Sequence, residues 1–113
     1  MKYIIAVIQP DRLEIVADIL AAEEINVMTV TEVLGRGRQK GVAEVYRSHV
    51  QAGNLLRKVK IEVAVPDERL WHAVDAIKRG AYTGSIGDGK IFVLDLQDCI
   101  RIRTGEQGET AVF

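Results

Sequence analysis

The segment Thr83-Gly84-Ser85-Ile86-Gly87-Asp88-Gly89-Lys90-Ile91-Phe92 carries the residue types best suited to chemistry. Its closely spaced glycines let the backbone fold tightly and expose N–H groups, the donors of an anion-binding turn. Lys90 sets a cation beside them. Further along, Arg101-Ile102-Arg103 places two guanidiniums two residues apart. In a strand, residues i and i+2 share a face, so both would aim at one place. Turn, lysine and arginine pair together read as a wall that holds a polyphosphate. Gly84 to Lys90 also fits G-x-x-x-x-G-K, the start of a P-loop. The rest of that pattern fails: Ile91 stands where Ser or Thr would hold magnesium, and a β-like run follows where a helix should begin. A P-loop NTPase is rejected and phosphate binding is kept.

The elements that must position these groups come from a motif that occurs twice. Ile4-Ile5-Ala6-Val7-Ile8-Gln9 leads into Pro10-Asp11-Arg12-Leu13 and then Val16-Ala17-Asp18-Ile19-Leu20. Ile61-Glu62-Val63-Ala64-Val65 leads into Pro66-Asp67-Glu68-Arg69-Leu70 and then Ala73-Val74-Asp75-Ala76-Ile77. Each half reads as strand, Pro-Asp break and helix, with proline tolerated where its missing N–H costs nothing. Asp11 and Glu14 have the spacing of an acidic capping box. Leu13, Val16, Ala17 and Leu20 form one apolar helix stripe, and Leu70, Val74 and Ile77 another. Lys78, Arg79 and Gly80 mark the expected end of the second helix. Met28 to Leu34 and Ile91 to Leu94 supply a further strand after each helix.

The predicted fold is therefore α+β: a ferredoxin-like double βαβ sandwich, with two helices on one face of a four-stranded antiparallel sheet. Ile100 to Arg103 adds a short strand or extended tail. The chain is one domain, 1–113, with a long loop between the second and third strands, flexible over about 36–54. Val59, Ile61, Val63 and Val65 alternate with Lys58, Lys60, Glu62 and Ala64, so one face is apolar. The other carries Thr29, Thr31, Lys60 and Glu62. Such a face is either washed by solvent or an interface between copies, and the pattern does not choose.

Net charge is −1, with 27% charged residues, which gives no long-range pull toward nucleic acid or an anionic membrane. Positive charge is instead local, in Arg36, Arg38, Lys40 and Arg47. The single cysteine, Cys99, excludes an internal disulfide and fits a reducing compartment. The opening apolar run is too short for a signal peptide or a membrane span, so a cytoplasmic protein without membrane insertion is expected.

The long loop opens with Gly35-Arg36-Gly37-Arg38-Gln39-Lys40-Gly41, which combines glycine mobility with anion contacts. Loops of this length in compact domains are commonly functional. Tyr46 and Arg47 are frequent binding anchors. The Gln39 amide oxygen can ligate a hard cation held by phosphates. Lys58, at the loop's far end, can pair with a carboxylate. His49 and His72 do not have metal-pair spacing, and His72 beside Trp71 fits a packed helix flank. No catalytic Ser/His/Asp or Cys/His set is visible, and no acid–base pair, so the chain does not read as an enzyme.

Over essentially its whole length the chain resembles the PII nitrogen-regulatory signal-transduction family. The resemblance rests on Met28-Thr29-Val30-Thr31-Glu32-Val33, Gly35 to Gly41, Lys58-Val59-Lys60-Ile61-Glu62, Thr83 to Phe92 and Arg101-Ile102-Arg103-Thr104-Gly105-Glu106. It implies a homotrimer with sheets facing the trimer axis and three clefts between subunits that bind ATP or ADP competitively. By matching positions, Thr29, Glu62 and Ala64 would lie near the adenine. Gly35, Gly37, Arg38, Gly87, Asp88, Gly89, Lys90, Arg101 and Arg103 would surround ribose and phosphates. Gln39 would bind Mg²⁺, which would chelate 2-oxoglutarate. Gln39, Lys40, Gly41 and Lys58 would form that effector's site, with Lys58 on its distal carboxylate. The resemblance further implies a regulator of partners such as an ammonium transporter, contacted through Tyr46 and Arg47. Three positions depart from the family pattern. Gln51 stands at the uridylylated tyrosine, His49 at the phosphorylated serine of photosynthetic members, and Gln9 at a basic residue near the 2-oxoglutarate carboxylate.

Three other readings fit parts of the same residue set. A small phosphatase on this fold would use Arg101 and Lys90 on the transferring phosphoryl group but lacks a visible base. An RNA-binding module would need exposed aromatics on the sheet face, where Thr29, Thr31, Lys60 and Glu62 are expected. A PII-like nucleotide sensor could answer to a different small anion, with Gln39 and Lys58 serving that ligand and another transporter or enzyme as its target.

Overall fold

A computed structural model describes residues 1–37 and 55–113. Strand β1 (Lys2–Ile8) is followed by a 3-10 turn (Pro10–Arg12), helix α1 (Leu13–Ala22) and strand β2 (Thr29–Gly35). Strand β3 (Leu56–Val65) is followed by a second 3-10 turn (Asp67–Arg69), helix α2 (Leu70–Ala81) and strand β4 (Gly89–Asp95), and a short helix α3 (Glu109–Val112) comes last. The sheet order is β2-β3-β1-β4 with every pairing antiparallel. This is the ferredoxin-like double βαβ expected from the repeat.

The period-2 pattern of β3 holds from Val59 to Val65; before it, Leu56 and Lys58 are also buried, on the opposite parity. Val59, Ile61, Val63 and Val65 are buried against Ile4, Ala6 and Ile8 of β1 and against Val16 and Leu20 of α1. Helix α2 adds Leu70, Ala73, Val74, Ala76 and Ile77 to the same core. Of the first helix's predicted stripe, Val16 and Leu20 are fully enclosed, while Leu13 packs at the margin.

Both helix starts differ from expectation. Neither helix has a side-chain cap, so Asp11 and Glu14 form no capping box. The Pro-Asp segments wind into single 3-10 turns, and arginines take over at the opposite helix ends. Arg12 Nε donates to the Gly80 carbonyl at 2.8 Å, and Arg69 donates to the Glu23 carbonyl. Each half thus satisfies an orphan carbonyl at the end of the other half's helix, where a cation is also favoured by the helix dipole. Gly80 is not the terminator the sequence suggested. It lies inside α2, where a Cβ would sit 2.7 Å from Val16 Cγ2 and 2.9 Å from Val16 Cα. Glycine there lets the two helices touch.

Ile100 to Arg103 is not a strand. Ile100 bridges to Gln107, and residues 102–104 turn back between them. Arg101 N–H donates to the Glu106 carbonyl and Gly105 N–H to the Arg101 carbonyl. The i, i+2 argument for Arg101 and Arg103 therefore fails, because a turn rotates successive side chains away from a shared face.

The sheet's open face is more apolar than Thr29, Thr31, Lys60 and Glu62 suggested. Cross-strand partners share a face. Glu62 pairs with Thr29 and Ile5, Lys60 with Thr31 and Val7, and Ile5 and Val7 pair onward with Phe92 and Lys90. Phe92 and Leu94 on this side are 49% and 47% exposed.

Candidate functional site

The glycine turn after α2 is braced by a carboxylate. Asp88 accepts hydrogen bonds from the Thr83 N–H (2.7 Å), the Gly84 N–H (3.0 Å) and the Thr83 hydroxyl. Burial works to raise the Asp88 carboxyl, but these three bonds outweigh it and hold the group below the ordinary carboxylate value. The carboxylate is occupied with the turn itself, so what Asp88 can offer a phosphate is its backbone.

At the end of the turn Gly89 opens β4 opposite Ile8. Its φ is +110°, and a Cβ there would lie 1.8 Å from the Val7 carbonyl oxygen. Only glycine allows β4 to pass so close to β1 in this conformation. Lys90 follows immediately, paired with Val7 in the sheet register.

Beside the turn is a cleft of about 410 Å³, lined by Val7, Gly35, Arg36, Gly37, Lys58, Ile86, Gly87, Gly89, Lys90 and Phe92. It joins four parts of the chain: the end of β1, the end of β2, the start of β3 and the glycine turn with β4. Six predicted site residues meet here, namely Gly35, Gly37, Lys58, Gly87, Gly89 and Lys90. Lys58 is 7% exposed, and its Nζ donates to the Gly87 carbonyl at 3.3 Å. Gln9 Nε2 donates to the same oxygen at 2.7 Å. Cationic and backbone donors over a partly apolar floor suit a phosphorylated or carboxylated ligand. A larger groove of about 840 Å³ lies on the helix side of β4, among Trp71, Val74, Lys78, Tyr82 and Val93. Its lining is mainly apolar, and apart from Asp88, Gly89 and Lys90 it holds none of the predicted site residues.

The other predicted residues stand elsewhere. Thr29, Glu62 and Ala64 lie in register on the open sheet face. The Tyr3 hydroxyl donates to Glu62 Oε2 at 2.5 Å, and Lys60 lies 3.8 Å from Glu62 Oε1. That hydrogen bond, with burial and the carboxylate's charge, pushes the Tyr3 phenol up to about 12. Arg101 contacts Glu106 at 2.5 Å and also donates to the Thr110 and Phe113 carbonyls. Arg101 and Arg103 are not among the residues lining the cleft. Arg38, Gln39, Lys40, Gly41, Tyr46 and Arg47 lie outside the described residues. Among the described residues no group of three or more His, Cys, Asp or Glu is placed to hold a metal.

Arg36, read from the sequence as part of a segment of anion contacts, lines the cleft, whereas sequence reasoning missed Ile86, Val7 and Phe92 as lining, and Gln9 and Tyr3 as holders of Gly87 and Glu62. Strand parity carried from β3 across β1 to β4 would have placed Val7 and Phe92 on the open face. No local pattern announces the Gln9 or Tyr3 contacts.

Comparison with known proteins gives a consistent result. The family model described as nitrogen regulatory protein P-II matches residues 1–106. The chain is 52% identical over 112 residues to nitrogen regulatory protein GlnK of Escherichia coli K12, covering 99% of this chain and 100% of the relative. It is 50% identical over 112 residues to nitrogen regulatory protein P-II 2 of Methanothermobacter thermautotrophicus, covering 99% and 97%. Among solved structures, Arabidopsis thaliana PII bound to citrate superposes with a TM-score of 0.80 at 35% identity, covering 98% of this chain and 88% of that one.

Proposed function

The chain belongs to the P-II nitrogen regulatory protein family, and from that premise we propose that it is a signal-transduction protein that reads nitrogen and energy status by binding ATP or ADP. The observation that carries this reading is the cleft in which Gly35, Gly37, Lys58, Gly87, Gly89 and Lys90 converge. Backbone donors and Lys90 would hold the phosphates. Thr29, Glu62, Ala64, Arg101 and Arg103 lie outside that cleft on the same chain. Their separation supports a nucleotide held between subunits of a homotrimer, one copy giving the turn and its neighbour the sheet face and arginines. The apolar residues Ile5, Val7, Phe92 and Leu94 on the open face suit burial at such an interface.

The second effector is a small carboxylate, and 2-oxoglutarate with Mg²⁺ is the form we propose. Lys58 would take its distal carboxylate, and Gln39 would bind the Mg²⁺ held by the ATP phosphates. The plant relative solved with citrate supports a carboxylate-accepting site in this fold. The two nucleotides, with or without the second effector, would shift the population of the loop after β2. A partner such as an ammonium transporter, contacted through Tyr46 and Arg47, would read that shift. The cytoplasm is the compartment in which these ligands and partners meet. The chain is a regulator and not an enzyme in this reading: donors hold the phosphates, and no base is assigned to attack them.

Gln9 favours keeping a second version, a sensor of nucleotide plus a different small anion that controls another transporter or enzyme. Its amide lacks the positive charge that a basic residue would offer a dicarboxylate. Analytical ultracentrifugation and calorimetry test both. We expect a trimer that binds ATP and ADP, with Lys90→Met weakening ATP by about tenfold or more, the loss of a charge-assisted hydrogen bond. A monomer indifferent to both nucleotides at millimolar concentration would overturn the reading. Heat on adding 2-oxoglutarate to the Mg-ATP complex decides between the two effectors.

A further inference from the structure

We propose that Gln9 is the positioning residue of the phosphate-binding turn, and that it shares this task with Lys58 through one acceptor, the Gly87 carbonyl. The inference rests on the nucleotide reading above. Gln9 stands between the end of β1 and the Pro10–Arg12 turn, and its own carbonyl accepts the Arg12 N–H at 3.1 Å. Its backbone is therefore fixed where the core strand ends. From there Nε2 reaches Gly87 at 2.7 Å, and Lys58 Nζ reaches the same oxygen at 3.3 Å. The shorter bond is the amide's.

A trans peptide points its C=O and the following N–H to opposite sides. The described residues contain no cis peptide. Fixing the Gly87 carbonyl toward Gln9 and Lys58 thus fixes the Asp88 N–H on the other side of the turn. Asp88's carboxylate already fastens the start of the turn to Thr83 and Gly84. Gln9 fastens its end. With Gln9 in place, the turn keeps its shape when an anion draws Lys58 away. Without it, the anion and the turn compete for one ammonium, so the second-effector site and the nucleotide site become coupled through a single peptide.

Calorimetric ATP titration of the full-length protein tests this with Gln9→Met, Gln9→Lys, Lys58→Met and the Gln9→Met/Lys58→Met double variant. Gln9→Met keeps the side chain's length and removes the donor. We expect it to weaken ATP about fivefold, the size of one neutral hydrogen bond. Gln9→Lys restores a donor and recovers affinity. The recovery persists at high salt, where a through-space charge would be screened. The double variant should lose at least about threefold more than the product of the single losses, because each donor backs up the other. Additive losses, or Gln9→Met binding ATP as the unaltered protein does, would overturn the proposal while leaving the nucleotide reading intact. An unaltered protein that ignores ATP would remove both.

Discussion

Replacing Gly89 with alanine puts the most direct strain on the geometry that sets the turn against the sheet. The added Cβ would lie 1.8 Å from the Val7 carbonyl oxygen, more than an ångström inside the 3.0 Å that real Cβ contacts respect. The neighbour is backbone of a central strand, so no side chain can swing aside. The φ of +110° adds strain of about 1–3 kcal/mol for any residue with a Cβ. Parting β1 from β4 at this point costs about 1–3 kcal/mol more, as for other overpacked sites. Gly84→Ala supplies the control. Its φ is also positive, at +87°, but the nearest atom to the new Cβ is the Tyr82 hydroxyl at an ordinary 3.5 Å. Only the backbone strain applies there, about 1–3 kcal/mol. Urea unfolding at one fixed protein concentration measures both, since any self-association makes the midpoint concentration-dependent. With an m-value of about 1.5 kcal/mol/M, Gly89→Ala should lower the midpoint by about 1–2 M more than Gly84→Ala does. Equal midpoints for the two variants would show that β4 does not approach Val7 as described, and the account of how Lys90 is placed would fall with it.

Gly80→Ala tests the helix contact. Alanine gains about 1 kcal/mol in helix propensity, yet the clash with Val16 should leave a net loss of about 1–2 kcal/mol in a denaturant titration; a stabilised variant would contradict the packing. The Tyr3 phenol, raised to about 12 from an ordinary value near 10, favours the fold fully below pH of about 10 and loses that contribution as pH climbs toward 12. Tyr3→Phe should therefore flatten the alkaline fall in melting temperature, and a phenolate absorbance titration of the folded protein should show a late-ionising component that the variant lacks. Asp88, held below the usual carboxylate range, contributes stability above that range and loses it as pH drops through the depressed folded value. Asp88→Asn should lower the melting temperature at neutral pH and lessen its fall in acid, so parallel acid profiles for variant and unaltered protein would argue against the brace.

The fold was legible because its signals are short-range and repeated. Two Pro-Asp breaks, two apolar stripes and clean alternation along β3 specify two βαβ units, and each unit needs the other to cover its sheet. Helix ends were less legible. Asp11 and Glu14 have cap spacing, but the local bond lost to a tertiary one, in which Arg12 reaches the far helix at Gly80. Gly80 itself looked like a stop because its sequence neighbours are Lys78 and Arg79, and no local pattern could show Val16 pressed against it. The arginine pair failed for a related reason. Alternation holds only while the backbone stays extended, and the Ile100–Gln107 bridge with its turn removes that condition.

The sequence presents the candidate site residues as a single wall. In the structure the glycine turn, Lys90 and Lys58 share a cleft with Gly35 and Gly37, while Arg101 lies in the C-terminal turn among Glu106, Thr110 and Phe113. Under the reading proposed above, a polyphosphate gripped by both groups would touch two copies of the chain. The open sheet face weighs toward two copies. Phe92 lines the cleft and also continues the row through Ile5 to Glu62 and Thr29, so one side chain belongs to the ligand site and to the surface that another copy would cover. In the proposed trimer, ligand binding and assembly would share a boundary. A nucleotide that orders the cleft would stabilise the contact between subunits, and subunit contact would in turn raise nucleotide affinity by the same factor. On that proposal, such reciprocity would give a small chain with a modest core a way to turn a metabolite concentration into a change of surface.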